Sequence, residues 1–83
     1  MNRSQIFTFL LDNKTWTDYE WAQNTKVTRA TFGNNRKNNG KNIRVSTLRT
    51  MANVCDYKLV QVNPWISPSN KSAHFRLLVR EII

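Results

Sequence analysis

The chain has 83 residues, a length that favours one small domain with a modest core. With 40% hydrophobic and 22% charged residues and no long apolar run, it is expected to be globular rather than membrane-spanning. A single cysteine excludes an internal disulfide, and one cysteine with one histidine is too few for the usual zinc-ligand spacings. No secretory signal pattern opens the sequence, so we expect a cytoplasmic protein.

Positive charge is concentrated in the middle of the chain. The net charge is +8, and the segment between Trp21 and Cys55 contains seven Lys and Arg but no Asp or Glu. Such a block attracts polyanions, and nucleic acid is the commonest polyanion in cells. A solvated basic face that only maintains solubility is the alternative.

A first helix is predicted near the start of the chain. Ser4 is a candidate N-cap, and the helix would end at about Asn13. Ile6, Phe9 and Leu10 have the spacing of one apolar stripe, which we expect to face the core.

Two short helices follow, and both have capping signals. Thr17 and Glu20 have the spacing of a capping box, which predicts a second helix that fades by Thr25. Thr28 is a good N-cap for a third helix that ends at about Lys37. Three or four residues would therefore separate the second helix from the third.

A fourth helix is predicted after an Asn-rich loop. Residues 38–40 stop the third helix, and Ser46 is a candidate cap for the fourth. Four residues of this helix are spaced as one buried face: Leu48, Met51, Ala52 and Cys55. Cys55 is therefore expected to be a small core residue.

The composition changes after Asp56. Residues 58–62 and 74–83 are β-prone and predict two strands. The link at 63–73 is too long for a tight hairpin, so the strands pair either within one sheet or between two copies of the chain. We can assign no role to Trp65 in this link. The sequence predicts one domain, 1–83, mainly α with a small C-terminal β element: a helical core at 4–56 and a β segment at 57–83.

Residues 22–32 resemble the helix-turn-helix of the phage repressor and Cro family. The family pattern has a small residue in the first helix, an aliphatic residue before a Ser or Thr cap, and a large apolar residue four positions after the cap. Ala22, Val27, Thr28 and Phe32 occupy these positions. Residues 46–55 resemble the family's next helix, and residues 56–60 resemble its exit into a strand. The resemblance covers roughly residues 4–62 and implies four to five short helices of the lambda repressor-like type.

The third helix would then be the recognition helix. Anchoring Phe32 in the core leaves Arg29, Ala30, Gly33 and Asn34 facing outward, where a DNA major groove accepts one helix. Arg29 can bond O6 and N7 of guanine, Asn34 can pair with adenine, and Ala30 can meet a thymine methyl. Gly33 would let the helix backbone approach the duplex closely. Contact of Arg29 with phosphate alone is the alternative.

A second set of residues is predicted to bind phosphates, with help from the free N–H groups at helix starts. It comprises Thr28, Thr31, Arg36, Lys37, Asn38, Lys41, Asn42 and Arg44. Several of the Asn residues can alternatively be simple loop formers.

Four positions depart from the family pattern. Lys26 stands at the turn position where Gly is usual and where positive φ is expected. Thr25 replaces an aliphatic residue, and Asn35 replaces an apolar or aromatic one. Asp18 stands where Gln often grips phosphate, and its carboxylate would repel that phosphate.

We therefore expect a sequence-specific regulator that binds double-stranded DNA at a pseudo-palindromic operator as a homodimer and represses by occluding polymerase. The dimer contact is predicted on apolar strand residues, which could equally complete the chain's own core: Leu59, Val60, Val62, Phe75, Leu77 and Val79. A protein-interaction module on the same fold, binding another regulator, polymerase or nuclease, is the main alternative. Charge-driven binding without sequence preference is the third.

Catalysis is not expected from this sequence. It contains no paired-acid motif, nucleophile elbow, phosphate-cradling Gly loop or metal spacing. We expect no cofactor, no metal, no small-molecule substrate and no membrane partner, and we expect the protein to associate with the bacterial nucleoid or the cytoplasm of a phage-infected host.

Overall fold

The computed structural model describes residues 1–62 and 74–79 as four helices followed by two strands. The helices are α1 (Arg3–Asn13), α2 (Asp18–Thr25), α3 (Arg29–Lys37) and α4 (Val45–Val54), and the strands are β1 (Tyr57–Val62) and β2 (His74–Val79). The predicted fold class, mainly α with a C-terminal β element, is confirmed. The predicted link at 63–73, with Trp65, and the last part of the second predicted strand, 80–83, lie outside the described residues.

Helix α1 begins two residues earlier than predicted, because its N-cap is Asn2 and not Ser4. The Gln5 backbone N–H donates to the Asn2 side chain at 2.8 Å, and the Asn2 backbone N–H donates to the Gln5 side chain at 2.9 Å. This capping box satisfies two N–H groups that a helix start leaves free. The Ser4 hydroxyl instead donates to the Asn39 carbonyl at 2.7 Å.

The predicted caps of α2 and α3 are confirmed, and that of α4 is wrong. The Glu20 N–H donates to the Thr17 hydroxyl at 3.2 Å, and the Thr31 N–H donates to the Thr28 hydroxyl at 3.3 Å. Helix α4 begins before Ser46, because its N-cap is Arg44, whose side chain makes no capping bond. The first helical bond of α4 runs from the Leu48 N–H to the Arg44 carbonyl at 3.1 Å.

The four helices and the sheet enclose one apolar core. Trp21 of α2 packs edge-on against Trp16, with ring centroids 4.8 Å apart, and stacks on Phe32 of α3 at 5.9 Å. Phe9, predicted on the buried stripe of α1, is instead 40% exposed and meets Tyr57 edge-on. The buried core residues are Ile6, Phe7, Leu10, Trp21, Phe32, Ile43, Leu48, Met51, Ala52, Cys55, Leu59 and Phe75.

Cys55 lies in the core as an unpaired thiol, as predicted. Burial raises the pKa of this thiol; the charge of Lys14 opposes the rise, and that of Asp56 adds to it. The thiol is therefore held in its protonated, less nucleophilic form.

Strands β1 and β2 pair antiparallel within the chain. Leu59 faces Leu77 and Gln61 faces Phe75 across the pair. Met1 pairs with β2 on the side of the strand that faces away from β1. The Met1 ammonium donates to the Phe75 carbonyl at 2.9 Å, and the Phe75 N–H donates to the Met1 carbonyl at 2.7 Å. None of the described helices combines the length and apolar character that a bilayer crossing needs.

Candidate nucleic-acid interface

Helices α2 and α3 are joined by a tight turn at residues 26–28. Lys26 takes the left-handed conformation, with φ 60° and ψ 20°, and its N–H donates to the Ala22 carbonyl at 2.9 Å. The predicted positive φ at Lys26 is therefore confirmed. The buried Thr25 hydroxyl donates to the Trp21 carbonyl and accepts from the Val27 N–H at 3.3 Å. These two bonds join the last turn of α2 to the turn segment, a role that an aliphatic side chain at this position cannot perform.

Helix α3 packs against the core through one side and exposes the opposite side to solvent. The Phe32 side chain is fully buried under Trp21. On a helix of 3.6 residues per turn, Ala30, Asn34 and Lys37 lie on the side opposite Phe32, and all three are exposed. Two of the four predicted base-reading residues, Ala30 and Asn34, thus share the outermost stripe.

Arg29 lies at the start of α3, on the flank that faces α2. Its guanidinium carbon is 5.6 Å from the centroid of the Tyr19 ring, and the residue is exposed. The Gln23 side-chain amide donates to the Tyr19 hydroxyl at 2.6 Å, which orients the ring beneath the guanidinium. Sequence reasoning missed this role for Tyr19. Its position two residues after the Thr17 cap, away from the Trp21 stripe, is the signal that places it on the surface.

Gly33 and Arg36 lie on the same flank of α3 as Arg29. A Cβ added at Gly33 would lie 3.9 Å from a carboxylate oxygen of Asp18, and Gly33 itself is half-buried. The Arg36 guanidinium pairs with Asp18 through Nε and donates to the Trp16 carbonyl at 3.5 Å. Arg36, predicted to bind phosphate, is thus engaged by a carboxylate, and the negative charge of Asp18 is compensated.

An open cleft of about 530 Å³ lies on the opposite flank of α3. The Thr28 and Thr31 hydroxyls are 2.8 Å apart at its wall, and the Asn35 amide donates to the Thr31 carbonyl at 2.8 Å. This bond gives Asn35 a local polar role where the family pattern has an apolar residue. The cleft residues are Lys26, Val27, Thr28, Thr31, Asn34, Asn35, Asn42, Ile43, Arg44, Ser46 and Thr47.

The Asn-rich loop between α3 and α4 is fixed to the body of the protein. Ile43 is buried in the core, and the Arg3 guanidinium donates to its carbonyl at 3.3 Å. The Ser4 hydroxyl holds the Asn39 carbonyl, and the Gly40 N–H donates to the Asn35 carbonyl at 2.7 Å. These contacts set the direction of the loop relative to α3.

The predicted phosphate-binding residues are therefore distributed over three places, one of which is the ion pair of Arg36 with Asp18. Thr28, Thr31, Asn42 and Arg44 surround the cleft. Lys37, Asn38 and Lys41 are exposed at the end of α3 and in the loop. Lys26, a turn residue that belongs to the basic segment of the sequence, adds a cation to the cleft, and none of the described residues that line the cleft is acidic.

The predicted dimer residues lie partly inside the chain's own core. Leu59 and Phe75 are buried there and Leu77 packs against it, which is the alternative that the sequence left open. Val60 is half-buried, Val79 is 74% exposed, and the side chain of Val62 is not among those described. The neighbouring Leu78, which was not predicted, is 49% exposed.

Comparisons of the chain with protein-family models, with curated proteins and with solved structures find no match. Within residues 1–62 and 74–79, no three His, Cys, Asp or Glu side chains lie close enough together to hold a metal ion.

Proposed function

We propose that the protein binds double-stranded DNA with α3 in the major groove. One observation carries the proposal: α3 is anchored by a fully buried Phe32 while its outer stripe, Ala30, Asn34 and Lys37, is exposed. A helix held in this way can enter a groove without losing core contacts.

The charges around α3 support a duplex as the ligand. Lys26 and Arg44 line the cleft on one flank, and Lys37 and Lys41 are exposed beyond the end of α3. Phosphates of the two strands border a major groove, so cations beside a reading helix and beyond its end suit a duplex. The ion pair between Asp18 and Arg36 reduces the repulsion that Asp18 alone would exert.

Base reading is assigned to Arg29, Ala30 and Asn34. The Tyr19 ring beneath the Arg29 guanidinium restrains the side chain at the start of α3, which lowers the entropy lost when its fork bonds a guanine. Asn34 lies one turn beyond Ala30 on the outermost stripe and can pair with an adenine.

As a regulator, the protein would act as a homodimer on a pseudo-palindromic operator and repress by occluding polymerase. A single helix in one groove gives limited affinity, whereas a two-fold pair reads two half-sites one helical turn apart. We assign the two-fold contact to the outer face of the sheet, where Leu78 is exposed and Val60 lies diagonally across the strand pair on the same face.

Selection of bound duplexes from a random pool, followed by Arg29→Ala, tests the proposal. Enriched duplexes are expected to share a two-fold symmetric sequence. Arg29→Ala should reduce discrimination at one base position per half-site by about 1–3 kcal/mol, because a bidentate contact is lost. Arg76→Ala, which removes the same charge from an exposed position on β2, is the matched control and should leave discrimination intact.

Lys41→Ala separates phosphate binding from base reading. It should weaken binding evenly across sequences and lower the slope of log affinity against log salt by about one. If Arg29→Ala behaves like Lys41→Ala, binding is driven by charge without base reading. If no duplex is enriched at all, the proposal is wrong.

A protein-interaction module on the same fold is the second candidate. The exposed Leu78 and Val79 favour it, because apolar side chains at the surface of a small sheet suit a protein contact. Such a module would show no duplex enrichment, would tolerate Arg29→Ala, and would lose its partner when Leu78 is made polar.

A further inference from the structure

The outer edge of β1 presents backbone groups that β2 does not use. Phe75 exchanges both of its backbone hydrogen bonds with Met1, so its N–H and C=O point away from β1. Gln61, directly opposite Phe75, therefore belongs to a non-hydrogen-bonded pair of the antiparallel ladder. Because the ladder alternates, the N–H and C=O groups of Tyr57, Leu59 and Gln61 all point outward from β1.

An open groove of about 460 Å³ runs along this edge. Its described lining residues are 58–61 of β1 and Arg49 and Asn53 of α4, and none of these belongs to β2. A groove that touches four consecutive residues of β1 and none of β2 lies on the side of β1 opposite β2. Among the described residues, no backbone group outside the sheet bonds to Leu59 or Gln61.

The charged side chains among the described lining residues of the groove are all positive. Arg49 and Lys58 are exposed cations, Asn53 and Gln61 are exposed amides, and none of the described lining residues is acidic. A strand edge beside a helix is a site where an extended segment can add as a further strand. The cations determine which segment is favoured, because they attract carboxylates on its side chains.

We propose that this groove binds an extended acidic segment of a partner protein by strand addition to β1. The outward groups of Leu59 and Gln61 supply the main-chain hydrogen bonds, and Arg49 and Lys58 select acidic side chains. The site is separate from α3 and from the residues assigned to DNA.

A second copy of the chain is a poorer occupant of the groove. Two-fold pairing of β1 with its own copy would bring the Arg49 and Lys58 side chains of both chains into one seam. Within the part of the chain that the structure describes, no acidic residue lines the groove to compensate them. Like charges along a seam disfavour that pairing.

The proposal is tested with the full chain and two short fluorescent peptides, one of alternating valine and glutamate and its twin with lysine in place of glutamate. The glutamate peptide should bind and the lysine twin should not. Arg49→Glu and Lys58→Glu together should weaken binding of the glutamate peptide by about tenfold or more. Thr8→Glu on α1, an exposed position that does not line the groove, is the control and should leave peptide binding unchanged, with circular dichroism verifying the fold of each variant.

Amide hydrogen exchange distinguishes strand addition from loose charge attraction. With the glutamate peptide bound, the Leu59 and Gln61 amides should slow markedly, while the Lys58 and Val60 amides, already bonded to β2, should change little. Equal binding of the two peptides, absence of binding, or slowing without this alternation would overturn the proposal. If exchange of the Leu59 and Gln61 amides slows with rising protein concentration in the absence of peptide, a second copy of the chain occupies the edge. That result would also overturn the proposal.

Discussion

At the scale of single residues, the two glycines of the chain have opposite structural requirements. Gly40 has φ +71°, and an added Cβ would lie 2.6 Å from atoms of the buried Phe7. Gly33 lies within α3, where an added Cβ would meet its nearest neighbour at 3.9 Å, an ordinary contact. A side chain is therefore excluded at Gly40 and accommodated at Gly33.

Alanine substitution at each glycine should change stability in opposite directions. Gly40→Ala should lower the free energy of unfolding by about 2–4 kcal/mol, because it adds left-handed strain to a clash in the core. Gly33→Ala should raise it by about 0.5–1 kcal/mol, because alanine restricts the unfolded chain and favours helix. Urea unfolding of the two variants beside the parent measures both effects. Equal destabilisation by the two variants would contradict this account.

The residues of the candidate site were only partly predictable from the sequence. The exposure of Ala30 and Asn34 follows from helical periodicity once Phe32 is assigned to the core. The partners of Arg29 and Arg36 do not, because Tyr19 and Asp18 approach them through the crossing of two helices. Periodicity within one helix contains no information on which side chain a neighbouring helix will present.

At the scale of elements, α4 lacks a side-chain cap although it begins beside the cleft. Arg44 occupies its N-cap position, and its side chain accepts no hydrogen bond from the first turn. A cation near a helix start is also opposed by the helix dipole. We infer that Arg44 lowers the stability of the α4 start but supplies a positive charge beside α3. Such a conflict between stability and binding is common at functional sites.

Arg44→Ser should therefore stabilise the protein and weaken its binding to DNA. The hydroxyl can cap the first turn and the unfavourable charge is removed, so the free energy of unfolding should rise by about 1 kcal/mol. Duplex affinity should fall, with a salt slope lower by about one. Arg44→Lys retains a positive charge and adds no cap, so it should change neither quantity much. A serine variant with unchanged affinity would remove Arg44 from the phosphate contacts.

The helix starts also explain which boundaries a sequence can predict. The Thr17 and Thr28 side chains cap the N–H groups of residues three positions later, so these helix starts can be predicted from a short stretch of sequence. The start of α4 is set by burial of Ile43 in the core, a contact distant in the chain. The Ser46 hydroxyl could cap a helix, but Ser46 lies within the first turn of α4 and not at its N-cap position.

At the scale of the whole molecule, the basic surface and the apolar sheet residues belong to different parts of one fold. The helical part surrounds α3 with cations, while Leu78 and Val79 are exposed on β2. Pairing of β1 with β2 within the chain was one of two alternatives that the sequence left open. Local pattern cannot decide it, because the same alternating residues satisfy a strand partner from either chain.

Leu78→Glu tests how these two parts cooperate. Leu78 is 49% exposed, so the substitution should leave the melting temperature nearly unchanged while it places a charge in the proposed two-fold contact. Sedimentation should then report monomers, and affinity for a full pseudo-palindrome should fall by about tenfold or more toward that of a half-site. Thr8→Glu, an exposed position on α1 with the same change in net charge, is the control and should retain full-site binding. If Leu78→Glu and Thr8→Glu weaken both sites equally, charge alone accounts for the loss, and the sheet does not form the dimer contact.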